Sequence, residues 1–205
     1  MSTVEDVVKH NAVNFFDPSQ EQSKVRLAVG TYPAHIIKCE IREVDVKGKY
    51  RAKVYNYRVK VHKSVSDVNS FAIEDIDGSM KPVEGNNYVG REIRSAGIFF
   101  FLTPDIGDSF KANPGGNRGY MNAVTALGIE CPEIEVEVDG DKRMVKSLPD
   151  LRESDFIGKP VLANVNMGKP WKGNDGVERQ TPEVKTIDLW KDGVQVDMEV
   201  DDLPF

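Results

Sequence analysis

The chain has 205 residues, 40% of them hydrophobic and 29% charged, with a formal net charge of -6 at pH 7. That suits one domain with appendages and a solvated surface, and no apolar run approaches the ~20 residues of a membrane-crossing helix. The distant cysteines Cys39 and Cys131 make no disulfide framework, and Met1 to Phe16 lacks an apolar signal core, so a cytoplasmic protein with reduced thiols is expected.

Residues 1–29 read as an appendage. Thr3 suits the cap of a short helix with Val4, Val7 and Val8 on one side, and Asn14 to Ser23 reads as loop. From Gly30 the texture becomes that of β-structure. Gly30 to Val46 is a long strand with a bend near Lys38 to Glu40, and Lys47-Gly48-Lys49 is a turn. Arg51 to Val65 is a second long strand. Its apolar side holds Ala52 and Val54 first, then Tyr57, Val59 and Val61, which predicts a second bulge. Ser64 to Tyr88 reads as a long connection. Val89 to Thr103 is a third strand, whose run Phe99-Phe100-Phe101 predicts cover on both faces.

Pro114 to Asn117 breaks the chain before a helix over Gly119 to Leu127, closed by Gly128. Glu130 to Asp141 alternates carboxylates with Ile134, Val136 and Val138, as in a small exposed hairpin. Phe156 to Met167 is the fourth strand and Gly168 to Thr181 a polar loop. Glu183 to Trp190 is a short fifth strand, with Val184 and Ile187 facing opposite ways and Trp190 packed in the core. The expected fold is therefore all-β with one helix. No helix joins adjacent early strands, which excludes a parallel βαβ plan. Five strands with a helix between the third and fourth match the partly open oligonucleotide-binding (OB) barrel, here with long loop insertions. Residues 30–191 would form that domain, followed by a tail at 192–205.

Catalytic and metal signatures are missing from the sequence. His10, His35 and His62 have no partner at metal-ligand spacing, and the Gly-rich run from Asn113 to Gly119 reads as a turn entering the helix. Glu74, Asp75 and Asp77 lack calcium-loop spacing. No cofactor and no enzymatic activity are expected.

The cations carry more information. From Lys47 to Lys63 there is no acid, while Lys47, Lys49, Arg51, Lys53, Arg58, Lys60 and Lys63 interleave with Tyr50, Tyr55 and Tyr57. Cations neutralise phosphates, and flat rings stack on unpaired bases at roughly 1–3 kcal/mol each. Tyr55, opposite Ala52 and Val54 in parity, and Tyr50, at the turn, are the expected stackers, with Tyr57 inward. The plain alternative is a solvated strand face. A second cluster, Lys169, Trp171, Lys172 and Arg179, sits among glycines between the fourth and fifth strands. In an OB barrel the loops that carry these clusters flank the binding face.

The end of the chain is different again. After Lys191 there is no Lys or Arg, but Asp192, Asp197, Glu199, Asp201 and Asp202 precede Leu203-Pro204-Phe205. These five carboxylates account for most of the net charge. Such a run resists folding into a core and either displays its apolar tip to a partner or competes for a basic groove.

Asp201-Asp202-Leu203-Pro204-Phe205 resembles the acidic tip of bacterial single-stranded DNA-binding proteins. The body, from Gly30-Thr31-Tyr32 through Asp155-Phe156-Ile157-Gly158-Lys159, resembles the single-stranded DNA-binding proteins of tailed bacteriophages. The resemblance implies binding of single-stranded DNA without sequence preference during replication, recombination and repair in the host cytoplasm. It also implies recruitment of replication and recombination proteins by Asp201, Asp202, Leu203, Pro204 and Phe205. No membrane partner is expected, and self-association stays open. The competing reading is a protein-interaction or virion-assembly module on a barrel scaffold. A nuclease would need an acidic metal cluster beside the basic face, and the sequence offers none.

Overall fold

The computed structural model describes residues 27–46, 50–67, 71–74, 79–102, 116–138 and 140–196. In chain order its strands are β1 (Gly30–Val46), β2 (Tyr50–Val61), β3 (Phe71–Glu74), β4 (Met80–Val83), β5 (Glu92–Arg94), β6 (Ile98–Leu102), β7 (Glu133–Val138), β8 (Asp141–Lys146), β9 (Pro160–Met167), β10 (Trp171–Lys172), β11 (Glu178–Arg179) and β12 (Pro182–Leu189). One helix, α1 (Arg118–Ala126), lies between β6 and β7. The appendage helix, the Lys47-Gly48-Lys49 turn and the acidic tip lie outside the described residues.

The main sheet has six strands in the order β12-β9-β1-β2, with β5 and β6 sharing the far side of β2. All these pairings are antiparallel. Where β5 and β12 come together, Ser95 and Val184 form a single parallel bridge and Ala96 N–H donates to the Val184 carbonyl at 2.8 Å. The mostly-β architecture with a helix after the third strand position agrees with the sequence. The sheet does not close into a continuous barrel. Three two-stranded hairpins, β3–β4, β7–β8 and β10–β11, stand apart from it.

Side-chain parity decides what each strand buries. In β1, Tyr32, Ala34 and Ile36 face the core, then Cys39 does. The switch comes from one extra residue, Ile37, between Ile36 opposite Val59 and Lys38 opposite Arg58. The bulge therefore falls just before the stretch expected to bend. β2 needs none. It pairs with β1 without a further shift, and Tyr55, Tyr57, Val59 and Val61 all point inward. Ala52 and Val54 lie on the opposite face and are buried there too, beside Phe101 and Phe99 of β6. The apparent change of parity is a change in which face is covered.

Other expectations shift for similar reasons. The third strand splits at Ser95-Ala96-Gly97. Phe99 is 40% exposed while Phe101 on the same face is half-buried, so that face is covered only in part. Val184 and Ile187 are both buried, because a register shift at Lys185 lets both turn inward. The two long connections contain the β3–β4 and β10–β11 hairpins.

α1 buries Tyr120, Ala123, Val124 and Leu127, a helical i, i+3, i+4, i+7 stripe. Its start is tied to β6: the Asn117 side chain accepts from Phe101 N–H at 2.8 Å and donates to the Phe101 carbonyl at 3.2 Å. Its end is a Schellman closure, with Gly128 at φ 73°, Gly128 N–H on Thr125 and Ile129 N–H on Val124. The Tyr120 ring stacks on Phe100 at 4.3 Å, and the Tyr55 ring stacks on Phe156 at 5.4 Å. The Tyr120 hydroxyl donates to the Pro149 carbonyl at 2.7 Å and accepts from Leu151 N–H at 3.1 Å. Tyr120→Phe strands both groups, so urea unfolding should show a loss of about 1–3 kcal/mol. An unchanged midpoint would contradict this role.

Candidate nucleic-acid interface

The antiparallel register places one set of side chains on the face of the sheet opposite the core. Three cross-strand rows can be read directly. Lys38, Arg58 and Arg94 form the first, Arg42, Val54 and Phe99 the second, and Val44, Ala52 and Phe101 the third. Lys38, Glu40, Arg42, Asn56, Arg58 and Arg94 line a shallow cavity of about 310 Å³. Four cations thus surround one carboxylate. Glu40 pairs with Lys38 at 2.7 Å and with Arg42 at 3.1 Å, and Lys38 first, then Arg42, holds its carboxyl below the usual range. Arg58 reaches Glu92 at 3.5 Å. Arg94 has no ion pair among the described residues. Beside the cations, the Phe99 and Phe101 rings stack with centroids 6.1 Å apart. Flat rings next to clustered positive charge form a surface suited to a chain of phosphates and bases.

The residues singled out from sequence divide among several places. Lys47 and Lys49 lie outside the described residues, and Tyr50 is described only by its backbone, opposite Val46. Arg58 and Lys60 belong to the cationic face. Arg51 and Lys53 have the opposite parity, because β2 alternates. Arg51 pairs with Glu43, and Lys53 with Asp150. Tyr55 is a core residue, fully buried, with its hydroxyl 3.2 Å from the Leu151 carbonyl and 3.3 Å from Asp150. Burial first, then Tyr120 and Asp150, pushes its phenol pKa up. An inward ring cannot receive a base, which corrects the expected stacking role of Tyr55.

The second cluster lies on the β10–β11 hairpin. Trp171 is 51% exposed, and the Arg179 guanidinium sits 5.8 Å from its ring centre while pairing with Asp175. Lys172 pairs with Glu178 in register, and Lys169 is exposed. This arm extends past the Gly30 end of β1, since Gly30 pairs with Val165 and β9 runs on to Met167. The arm thus lies beyond one end of the cationic face, while Arg58 and Lys60 of the first cluster lie within it.

The sequence pointed at neither Lys38, Arg42 and Arg94 nor Phe99 and Phe101. Phe99 and Phe101 alternate with Phe100, and that period-2 pattern was the available signal. Among the described residues, no group of three or more His, Cys, Asp or Glu could hold a metal, and no helix is long and apolar enough to cross a membrane. No family model, curated protein or solved structure matches the chain.

One edge of the face is covered by residues 190–196. Trp190 lies edge-on to His35 and His62, with centroids at 5.6 and 5.2 Å, and is only partly buried, not a core residue. His35 Nε2 is 2.9 Å from the Val194 carbonyl, and Val196 N–H donates to the Gly158 carbonyl at 3.2 Å. Burial first, then His35 and Lys63, pushes the His62 pKa below its ordinary 6.5. The fold therefore favours neutral His62. Its contribution is fully present above pH ~6.5 and is lost as pH falls through the folded value. Urea midpoints should drop between pH 7.5 and 5, and His62→Gln should flatten that drop. Identical pH profiles would refute the assignment.

Proposed function

We propose that the chain binds single-stranded DNA without sequence preference, across the outer face of an OB-type barrel left partly open. The observation that carries this reading is the stacked Phe99–Phe101 pair beside Lys38, Arg42, Arg58 and Arg94 on one sheet face. Backbone phosphates would track the cations while bases stack on the rings, a mode indifferent to base identity. The OB reading is supported by the strand positions β1, β2, β5/β6, β9 and β12, by α1 between the third and fourth, and by the parallel Ser95–Val184 bridge. The β10–β11 arm adds Trp171, Arg179, Lys169 and Lys172 beyond one end of that face, and Lys60 extends the cationic row on β2. No bond is made or broken in this role.

The acidic end has two parts in the proposal. Asp201, Asp202, Leu203, Pro204 and Phe205 recruit replication and recombination proteins of the bacteriophage or its host. The same anions compete with DNA for the cationic face. Support comes from the path of the described chain, because Val196 is bonded to Gly158, whose own N–H bonds to Ile36, two residues before Lys38.

Anisotropy titrations with oligo-dT test the interface. Affinity should fall as salt rises, and Arg94→Ala should reduce the log–log slope by about 0.7, the value of one single-strand phosphate contact. Phe99→Ala should weaken binding by roughly 1–3 kcal/mol with little change in slope. Affinity that stays flat between 50 mM and 200 mM salt (about a fourfold range over which phosphate contacts lose most of their strength) would sink the proposal. Loss of binding to double- and single-stranded oligomers alike would leave the interaction-module reading standing.

Deleting residues 198–205 should leave or strengthen oligo-dT affinity at low salt while abolishing pull-down of replication proteins. A truncated chain that binds DNA much more weakly would reverse the role given to the tail.

A further inference from the structure

The seam where the sheet fails to close is itself a cavity. Just past the Ser95–Val184 bridge, two local irregularities part the strands. Lys185 is the bulged residue of β12, and Gly97, at φ 87°, turns the chain into β6. A Cβ on Gly97 would sit 3.1 Å from Val54 Cγ1, so this close approach fits glycine best. Beyond these points the facing edges of β6 and β12 exchange no backbone hydrogen bond among the described residues. α1 roofs the gap. The resulting slot has a volume of about 370 Å³. Its floor is apolar, from Ile98, Ala123 and Ile187, all buried. Its rim is polar, with Asn122, Thr186 and Asp188 exposed. Phe99, the exposed ring of the outer face, lines its mouth.

We infer that this slot receives one unstacked nucleobase of the bound strand, next to the bases stacked on Phe99 and Phe101. This rests on the proposed DNA-binding role and adds a subsite to it. A flat heterocycle suits the space for three reasons. The volume lies in the range of small-ligand sites, which are apolar cavities with a few placed polar groups. Between Gly97 and Asn117, which ties off the Phe101 edge, β6 and β12 exchange no backbone hydrogen bond with each other among the described residues, which leaves room for the edge of a base. The Asn122 side chain, with no hydrogen bond to another described residue, offers both a donor and an acceptor on one amide, the pattern that base edges pair with. An extended peptide could instead pair with the same edges, and the test separates the two.

Gly119 gives a clean probe. It lines the slot, and a Cβ there meets no atom within 4 Å. Gly119→Leu therefore adds a side chain at the slot whose Cβ meets no neighbour, and it replaces a poor helix former by a good one. The expected result is an unchanged or raised Tm with oligo-dT affinity lowered by about tenfold, the scale of one lost base contact. Asn122→Ala, at an exposed position, should lower affinity in the same direction. In the wild type, titration with thymidine monophosphate should shift the backbone amides of Gly97, Asn122 and Ile187 in a two-dimensional NMR spectrum, and Gly119→Leu should abolish those shifts. A folded Gly119→Leu protein that binds oligo-dT like the wild type overturns the subsite while leaving the DNA-binding role intact. Amide shifts with the mononucleotide in a chain that fails to bind oligo-dT would support the slot and sink the wider role. Slot amides that ignore the mononucleotide but respond to an extended peptide would overturn the base and favour strand pairing.

Discussion

One inserted residue sets the chemistry of both faces of the sheet. Were Ile37 paired in regular alternation instead of bulged, Lys38, Glu40 and Arg42 would keep the parity of Tyr32, Ala34 and Ile36. Lys38, Glu40 and Arg42 would then point at Phe156 and Tyr57, and Cys39 and Ile41 would point at water. Burying two cations and a carboxylate in an aromatic core costs more than the core gains from any of its contacts. The bulge reverses the alternation midway, so one 17-residue strand supplies core residues along its length and charge to the other side of its second half. It also lets the strand bend, which is how β1 pairs with β9 at one end and with β2 along most of its length.

The aromatic residues divide along the same line. Tyrosines fill the interior, where Tyr32, Tyr55, Tyr57, Tyr88 and Tyr120 are all buried, while Phe99 carries the open face. Among the described residues the interior takes more tyrosine rings than phenylalanine, with Phe156 fully buried beside them. It holds because the Tyr32, Tyr55 and Tyr120 phenols each have a partner. Tyr32 donates to the Ala28 carbonyl at 2.6 Å, and Tyr55 and Tyr120 bond the chain at 149–151. Buried hydroxyls thus pin irregular segments that have no sheet or helix to hold them. The Phe99 ring on the outer face carries no polar group and makes no such demand, so that face and the core draw on different residues.

Much of the fold was legible in the sequence. Five strand positions, the helix and its Gly128 closure, and the β7–β8 hairpin could be placed because each has a local signal. The candidate site was legible in kind and not in place. A cation-rich strand with interleaved rings was visible, but the choice of face was not, because Ala52 and Val54 are apolar and covered on the side that Arg58 and Lys60 also occupy. Apolar residues on both faces erase the period-2 signal that parity depends on. Lys185 misled in the same way, since a bulge turns odd and even positions to one side. Lys38 and Arg42 come from β1 and Arg94 from β5, and only pairing register brings them together with Arg58 of β2.

The carboxylate of Glu40 at the centre of the cationic cavity has a further consequence. Glu40 offsets one of the two positive charges of Lys38 and Arg42, so an incoming anion there exchanges places in part with a tethered carboxylate and releases fewer free ions into solution. Such a site senses ionic strength less than its number of positive groups implies, whereas Arg94 has no ion pair among the described residues. For a polyanion bound as proposed, the two parts of the face would respond to salt to different degrees.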